Sequence, residues 1–155
     1  DVPIPDKKNV SFIDCLNEYT EYEILEGDNQ WYNEKLKKKM DVKKNIVFWS
    51  FPEIFIVTFK RFKNNLKKNQ KFIDFPLTDL NLSEYVKGYE KDSYIYDLYG
   101  IINHSGGLLG GHYWSFVKNA NDKWYTFNDT IVKEISDMSK LKSTNAYCLF
   151  YKKKN

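Results

Sequence analysis

The chain has 155 residues, which is enough for one domain or for part of a larger one. Its net charge of +3 is only mildly basic, so charge alone does not indicate a nucleic-acid partner. No apolar run approaches the roughly 20 residues of a membrane-spanning helix, and no secretion signal opens the sequence. Two cysteines are too few for a disulfide framework, so we expect an intracellular protein, in the cytoplasm, the nucleus or both.

The N-terminal region has the signature of a helix. Ser11 and Asp14 are spaced as a capping box, and apolar residues follow at helical intervals. Cys15 lies inside this helix, where we interpret it as a small buried hydrophobic residue. Residues 20–23 have the same capping-box spacing and predict a second helix, which would end near Gly27.

The rest of the chain contains mostly strand patterns. An apolar run over residues 54–59 predicts a central strand that is covered on both faces. Residues 94–103, 112–118 and 123–127 are rich in β-branched and aromatic residues and predict three short strands. A last strand is predicted over residues 146–151, with Cys148 as a core thiol.

The candidate site lies at the ends of the three short strands. A loop with four glycines among residues 106–111 joins the first two strands, and His112 follows it directly. The third strand leads into Asn128 and Asp129. An imidazole can take the proton of a thiol or hydroxyl nucleophile when an amide or carboxylate orients the ring. Because side chains alternate along a strand, only one of Asn128 and Asp129 should reach it. A histidine beside glycines is also consistent with a simple turn residue.

These segments resemble the histidine box of the ubiquitin-specific proteases, a family of papain-like cysteine deubiquitinases. The matching segments are His104-Ser105-Gly106, Gly111-His112-Tyr113, Trp124-Tyr125-Thr126-Phe127-Asn128-Asp129 and Ala146-Tyr147-Cys148-Leu149-Phe150-Tyr151. The resemblance implies that His112 is the general base, Asn128 the third member of the triad and Asp129 an adjacent polar helper. It implies an α+β fold, mainly an antiparallel sheet forming a palm and fingers, with a few short helices.

The resemblance also implies a substrate, which is ubiquitin joined through its C-terminal glycine to an amine. A glycine-rich loop can line a slot too narrow for side chains, so that only a Gly-Gly tail would pass. The expected substrate-binding residues are Tyr99, His104, Gly110, Gly111 and Tyr113. We expect ubiquitin or ubiquitinated proteins as partners, and neither nucleic acid nor a membrane; no oligomeric state is predicted.

The chain lacks the cysteine box that carries the nucleophile of this family. We therefore expect residues 1–155 to be the C-terminal part of a catalytic domain whose nucleophilic cysteine lies upstream, and the chain alone to be inactive. The alternative is a catalytically inactive pseudoprotease that binds ubiquitin. A lysine–aromatic module for nucleic acid is a third hypothesis, although no motif of a nucleic-acid-binding fold is present.

No cofactor or metal ion is expected. Related proteases commonly carry a cysteine pair of a structural zinc site where this chain has Asn33 and Leu36, and neither residue can supply a thiolate. The lysine-rich residues 35–44 suit either an acidic or nucleic-acid partner or, as the simpler interpretation, a solvated face.

Overall fold

A computed structural model describes residues 1–62, 67–89 and 94–154. In this part of the chain one α-helix accompanies thirteen strands, and no helix is long and apolar enough to cross a membrane. The elements are β1 (Val10–Ser11), α1 (Phe12–Thr20), β2 (Glu23–Leu25), β3 (Trp31–Asn33), β4 (Lys38–Met40), β5 (Val42–Lys44), β6 (Ile54–Thr58), β7 (Ile73–Asp74), β8 (Leu80–Asn81), β9 (Ile95–Gly106), β10 (Gly111–Lys118), β11 (Trp124–Asn128), β12 (Ile131–Ile135) and β13 (Ala146–Lys153). Short 3₁₀ turns lie at Gly27–Asn29, Ser83–Tyr85 and Met138–Leu141.

The main sheet has seven antiparallel strands in the order β12-β11-β10-β9-β13-β6, with β8 pairing to β9 as well. The three strands predicted around the candidate site are β9, β10 and β11, and they are direct neighbours. The prediction of an α+β fold with a mainly antiparallel sheet is therefore confirmed.

Helix α1 packs its apolar face on this sheet. The Phe12 ring stacks on Tyr151 of β13 with centroids 6.0 Å apart, and its edge meets Phe59 at 6.4 Å. Leu16, one helical turn further on, is fully buried in the same core. Cys15 is fully buried too, as predicted for a small apolar residue of this helix.

The second predicted helix is wrong. The Thr20 hydroxyl does not cap a new helix; it donates back to the carbonyls of Leu16 and Asn17 and so closes α1. Glu21 is already extended, with φ −63° and ψ 154°. The next residues form β2, which pairs with β5. Capping-box spacing is therefore not enough to predict a helix here, because pairing of β2 with a distant strand satisfies the same backbone groups.

Strand β6 also differs from its prediction. It lies at an edge of the main sheet, where its outer side meets a single bridge from Val2 to Phe59. Val57 faces the core and is 3% exposed, whereas Ile56, on the other face, is 55% exposed. The apolar run therefore marks one buried face and one open face, and the prediction of a central, doubly covered strand is wrong.

Two small antiparallel sheets of two strands each, β2–β5 and β3–β4, are separate from the main sheet. The turn between β3 and β4 is held by Asn33, whose Oδ1 accepts hydrogen bonds from the backbone N–H groups of Lys35 and Leu36, at 3.0 and 3.1 Å. Leu36 offers no ligand atom. In the described residues no group of three or more His, Cys, Asp or Glu side chains is placed to hold a metal. The residues present do not fit a structural zinc ion.

Both hydrogen bonds of the capping box at the start of α1 are present. The Asp14 backbone N–H donates to Ser11 Oγ at 3.2 Å, and Asp14 Oδ2 accepts from the Ser11 backbone N–H at 2.8 Å. Lys7 Nζ lies 2.5 Å from Asp14 Oδ1. The hydrogen bond from Lys7, followed by those from Ser11, lowers the pKa of Asp14 to about 2.

We predict that Asp14→Asn lowers the free energy of unfolding by about 1 kcal/mol near neutral pH, the usual scale for a lost helix cap. Because the Asp14 pKa is lower in the folded chain than its ordinary 3.8, the carboxylate stabilises fully above that value and loses its effect as the pH falls toward 2. Urea unfolding should show a difference between variant and wild type that shrinks over this range. Glu26→Gln, at an exposed carboxylate, is the control. A difference of the same size at both ends of the range would contradict the prediction.

We also predict that the purified protein carries no stoichiometric zinc, because Asn33 and Leu36 stand where thiolates would be needed. Elemental analysis should find far less than one zinc per chain, and a chelator should leave the unfolding transition unchanged. Asn33→Ala should instead speed hydrogen exchange at the Lys35 and Leu36 amides, since their acceptor is removed. About one zinc per chain, or unfolding by the chelator, would refute the assignment.

Candidate active site

His112 and Asn128 meet across neighbouring strands. Ser115 of β10 pairs with Phe127 of β11, so one step along the ladder Trp114 lies opposite Asn128. His112, two residues before Trp114, projects from the same face. The distance from His112 Nε2 to Asn128 Oδ1 is 2.5 Å, which is a hydrogen bond.

This hydrogen bond fixes the chemistry of the imidazole. An amide carbonyl oxygen can only accept, so Nε2 carries the proton and the neutral ring keeps its lone pair on Nδ1. Within the described residues no group hydrogen-bonds Nδ1, and the His112 side chain is 46% exposed. The ring is therefore oriented through one nitrogen and open to a reactant at the other.

Asp129 is placed differently from Asn128. It follows the last residue of β11 and adopts a left-handed backbone conformation, with φ 51°. Its Oδ2 lies 4.0 Å from His112 Nε2, beyond hydrogen-bond distance, and its side chain is largely exposed. One of the two residues reaches the ring, as predicted, and it is Asn128. Asp129 lies just outside the strand, where alternation does not apply, and contributes a nearby negative charge.

A second histidine, His104, lies in β9 and faces the opposite side of the sheet. It pairs with Tyr113 of β10, and the two rings are 4.5 Å apart. Phe62 and Tyr147 complete an aromatic group, each with its ring centroid 5.8 Å from that of His104. Burial, and then the charge of Lys68, lowers the pKa of His104, so this imidazole stays neutral.

The aromatic group and the glycine-rich loop together form a cavity of about 310 Å³. Its lining consists of Phe62, His104, Gly107, Leu108, Leu109, Gly110, Gly111, Tyr113 and Tyr147. A Cβ added to Gly111 would lie 2.3 Å from His104 Nε2 and 2.4 Å from the Ser105 carbonyl oxygen, whereas one on Gly107 would meet nothing within 4 Å. The loop therefore packs on the His104 ring only because residue 111 has no side chain.

The structure brings together His104, Gly110, Gly111 and Tyr113 among the predicted substrate-binding residues. Tyr99 lies elsewhere, with its ring 6.2 Å from that of Phe150, and is not part of the cavity lining.

Sequence reasoning missed three residues of this region, Phe62, Lys68 and Tyr147. Lys68 Nζ donates a hydrogen bond to the backbone carbonyl of His104. All three lie far from the glycine-rich loop in the sequence, so only the pairing of the strands shows their proximity. The sequence offered two signals for them: Phe62 is an aromatic residue directly after Lys60-Arg61, and Tyr147 is an aromatic residue in the last strand.

Neither cysteine is suited to act as the nucleophile. Burial, followed by the charges of the Asp14 and Glu18 carboxylates, raises the pKa of Cys15 to about 12. Burial also raises the pKa of Cys148, which accepts a hydrogen bond from Thr58 Oγ1 at 3.6 Å. Both thiols are buried and free, so within this chain His112 has no accessible thiol to activate.

Known proteins resemble this chain in sequence. The sequence pattern of the family described as "Ubiquitin carboxyl-terminal hydrolase" matches residues 8–151. Ubiquitin carboxyl-terminal hydrolase 12 of Saccharomyces cerevisiae is 39% identical over 151 residues, which are 94% of this chain and 12% of that protein. Ubiquitin carboxyl-terminal hydrolase 9 of Arabidopsis thaliana is 36% identical over 151 residues, and the human ubiquitin carboxyl-terminal hydrolase 15 is 35% identical over 155. The chain covers 16% of each of these two relatives.

A solved structure shares the fold. In the structure of the SAGA Ubp8/Sgf11/Sus1/Sgf73 DUB module bound to ubiquitin aldehyde, one chain superimposes with a TM-score of 0.82 and 32% identity. The match covers 99% of this chain and 35% of that one, so the chain spans about a third of it. With the family pattern matched over residues 8–151, the chain belongs to the ubiquitin carboxyl-terminal hydrolase family and has the sheet-rich α+β fold of the papain-like ubiquitin-specific proteases.

Proposed function

We propose that this chain supplies the histidine half of a deubiquitinase active site, which hydrolyses the bond after the C-terminal glycine of ubiquitin. The observation that carries the proposal is the 2.5 Å contact between His112 Nε2 and Asn128 Oδ1, which leaves Nδ1 free on an exposed ring. A base that is oriented by a neutral amide suits a cysteine nucleophile, because thiolate and imidazolium stabilise each other.

The nucleophile in this proposal comes from outside the 155 residues, since both thiols of the chain are buried. Nδ1 of His112 takes the proton of the incoming thiol, and the thiolate attacks the carbonyl carbon of the last ubiquitin glycine. The imidazolium then gives that proton to the leaving amine, and a thioester remains. Water, deprotonated by the same nitrogen, hydrolyses the thioester and releases the ubiquitin carboxylate.

The cavity beside the glycine-rich loop is the proposed binding site for the ubiquitin tail. Its walls are four aromatic rings and a loop that approaches His104 where Gly111 has no side chain. The cavity of about 310 Å³ has room for an extended Gly-Gly segment. The neutral His104 belongs to the wall of the cavity. His112 projects from the other face at the same end of the two strands, so in this proposal the tail leaves the cavity past Gly111 to reach it.

The proposed setting is intracellular, because both cysteines are free thiols. We propose ubiquitin or ubiquitinated proteins as partners, in line with a structural relative that is bound to ubiquitin aldehyde. Neither nucleic acid nor a membrane is part of the proposal.

We predict that the full-length protein releases a fluorophore from the C-terminus of ubiquitin and that His112→Ala lowers this rate roughly 10²–10⁴-fold, the usual cost of losing a general base. Asn128→Ala should cost less, because it removes orientation and not the base. Asp129→Ala should cost least, since its carboxylate is 4.0 Å from the ring.

The chain of 155 residues alone should be inactive, and an alkylating ubiquitin probe should label neither Cys15 nor Cys148. Labelling of either thiol would overturn the proposed source of the nucleophile. A full-length protein that binds ubiquitin but turns nothing over would favour the pseudoprotease.

We predict that Gly111→Ala weakens ubiquitin processing while Gly107→Ala, the matched control in the same loop, does not. The new methyl group at 111 would collide with His104 Nε2 and the Ser105 carbonyl, so the loop must move off the cavity. Steady-state kinetics with ubiquitin and with a short Gly-Gly ester should show the loss as a higher KM. Equal effects of the two substitutions would contradict the fit of the loop.

A further inference from the structure

We propose that Trp114 is a positioning residue for His112, holding the imidazole in plane and covering its hydrogen bond to Asn128. This inference rests on the proposed function for its catalytic consequence. Its structural part, the protection of the Nε2 proton, stands on geometry alone.

Trp114 lies beside both His112 and Asn128. It shares a face of β10 with His112, pairs with Asn103 of β9 and lies opposite Asn128 of β11. The indole and imidazole rings are stacked, with centroids 6.0 Å apart and planes 18° from parallel. Offset stacking at this separation is a favourable aromatic geometry. The indole therefore lies beside both partners of the hydrogen bond.

The packing of the sheet gives Trp114 no other evident task. Among the described residues it belongs neither to the buried core nor to the partly buried residues packed against that core, unlike Trp124, which is 6% exposed. Within the same residues its one ring contact is with His112. A large aromatic residue whose one ring contact in the described part of the chain is an imidazole is placed to act on that imidazole.

The imidazole needs such support because it is exposed. With 46% of the side chain open to solvent, water competes with Asn128 for the Nε2 proton, and the ring is free to turn about its outer torsion. The apolar face of the Trp114 indole excludes water from one side of the imidazole and disfavours rotated orientations of the His112 ring. An indole face also attracts positive charge, so it favours the imidazolium that forms during the reaction.

The test uses Trp114→Leu, which removes the aromatic ring, and Trp114→Phe, which keeps one. Phe116→Leu is the control, since it makes the same aromatic-to-leucine change on the same face of β10, away from His112. In ¹⁵N-resolved NMR spectra, the Nε2 proton of His112 should exchange with solvent several-fold faster in Trp114→Leu than in wild type. Trp114→Phe should restore most of the protection, and Phe116→Leu should not alter it.

Kinetics then separate positioning from binding. Trp114→Leu should lower kcat roughly 10-fold and leave KM unchanged, a smaller loss than the ~10²-fold that a misplacement of about 1 Å can cost. The double variant Trp114→Leu/Asn128→Ala should lose little more than Asn128→Ala alone, because both changes act on one hydrogen bond.

Unchanged exchange of the Nε2 proton in a folded Trp114→Leu protein would overturn the proposal, as would losses that simply multiply in the double variant. If the wild-type protein has no hydrolase activity, the proposed function fails, and the proton-exchange experiment still decides whether Trp114 protects the His112–Asn128 hydrogen bond.

Discussion

The site depends on the pairing register of β10 between β9 and β11. Trp114 opposite Asn103 and Ser115 opposite Phe127 place His112, Trp114 and Asn128 on one face. A slip of one residue would turn His112 to the other face and remove it from Asn128, because side chains alternate with a period of two. The contact between His112 and Asn128 therefore follows from which residues are opposite each other.

The turn between β10 and β11 explains how this register is held. The backbone N–H of Asn119 donates to the carbonyl of Lys123, and that of Asp122 to the carbonyl of Asn119, at 3.0 and 2.9 Å. Asp122 adopts a left-handed conformation with φ 62°, which short polar residues tolerate, and Asn121 Oδ1 accepts from the Lys123 N–H. A turn closed at these points admits one alignment of the two strands, so it sets the positions of His112 and Asn128 from the far end of the hairpin.

The sequence predicted the parts of this arrangement that depend on local chemistry. The capping box of α1 and the three site strands follow from spacing and alternation. The second helix failed because Glu23–Leu25 found a partner in β5, and the central placement of β6 failed because an apolar run does not say whether another layer covers it. Phe62 and Tyr147 reach His104 only through long-range pairing, which no short pattern in the sequence contains.

The two nitrogens of His112 have opposite requirements. On the proposed function, Nδ1 must be open to a thiol from another segment, whereas the proton on Nε2 must be kept from water so that Asn128 can hold the ring. A fully buried imidazole would satisfy only the second requirement, as the neutral and enclosed His104 illustrates. At the end of β10 the ring is exposed, and Asn128 and the Trp114 indole cover only the side that carries the hydrogen bond. His112 lies at the end of β10, where Nδ1 is open. Asn128 on the neighbouring strand and Trp114, two residues further along β10, support the ring from the other side, so both requirements are met.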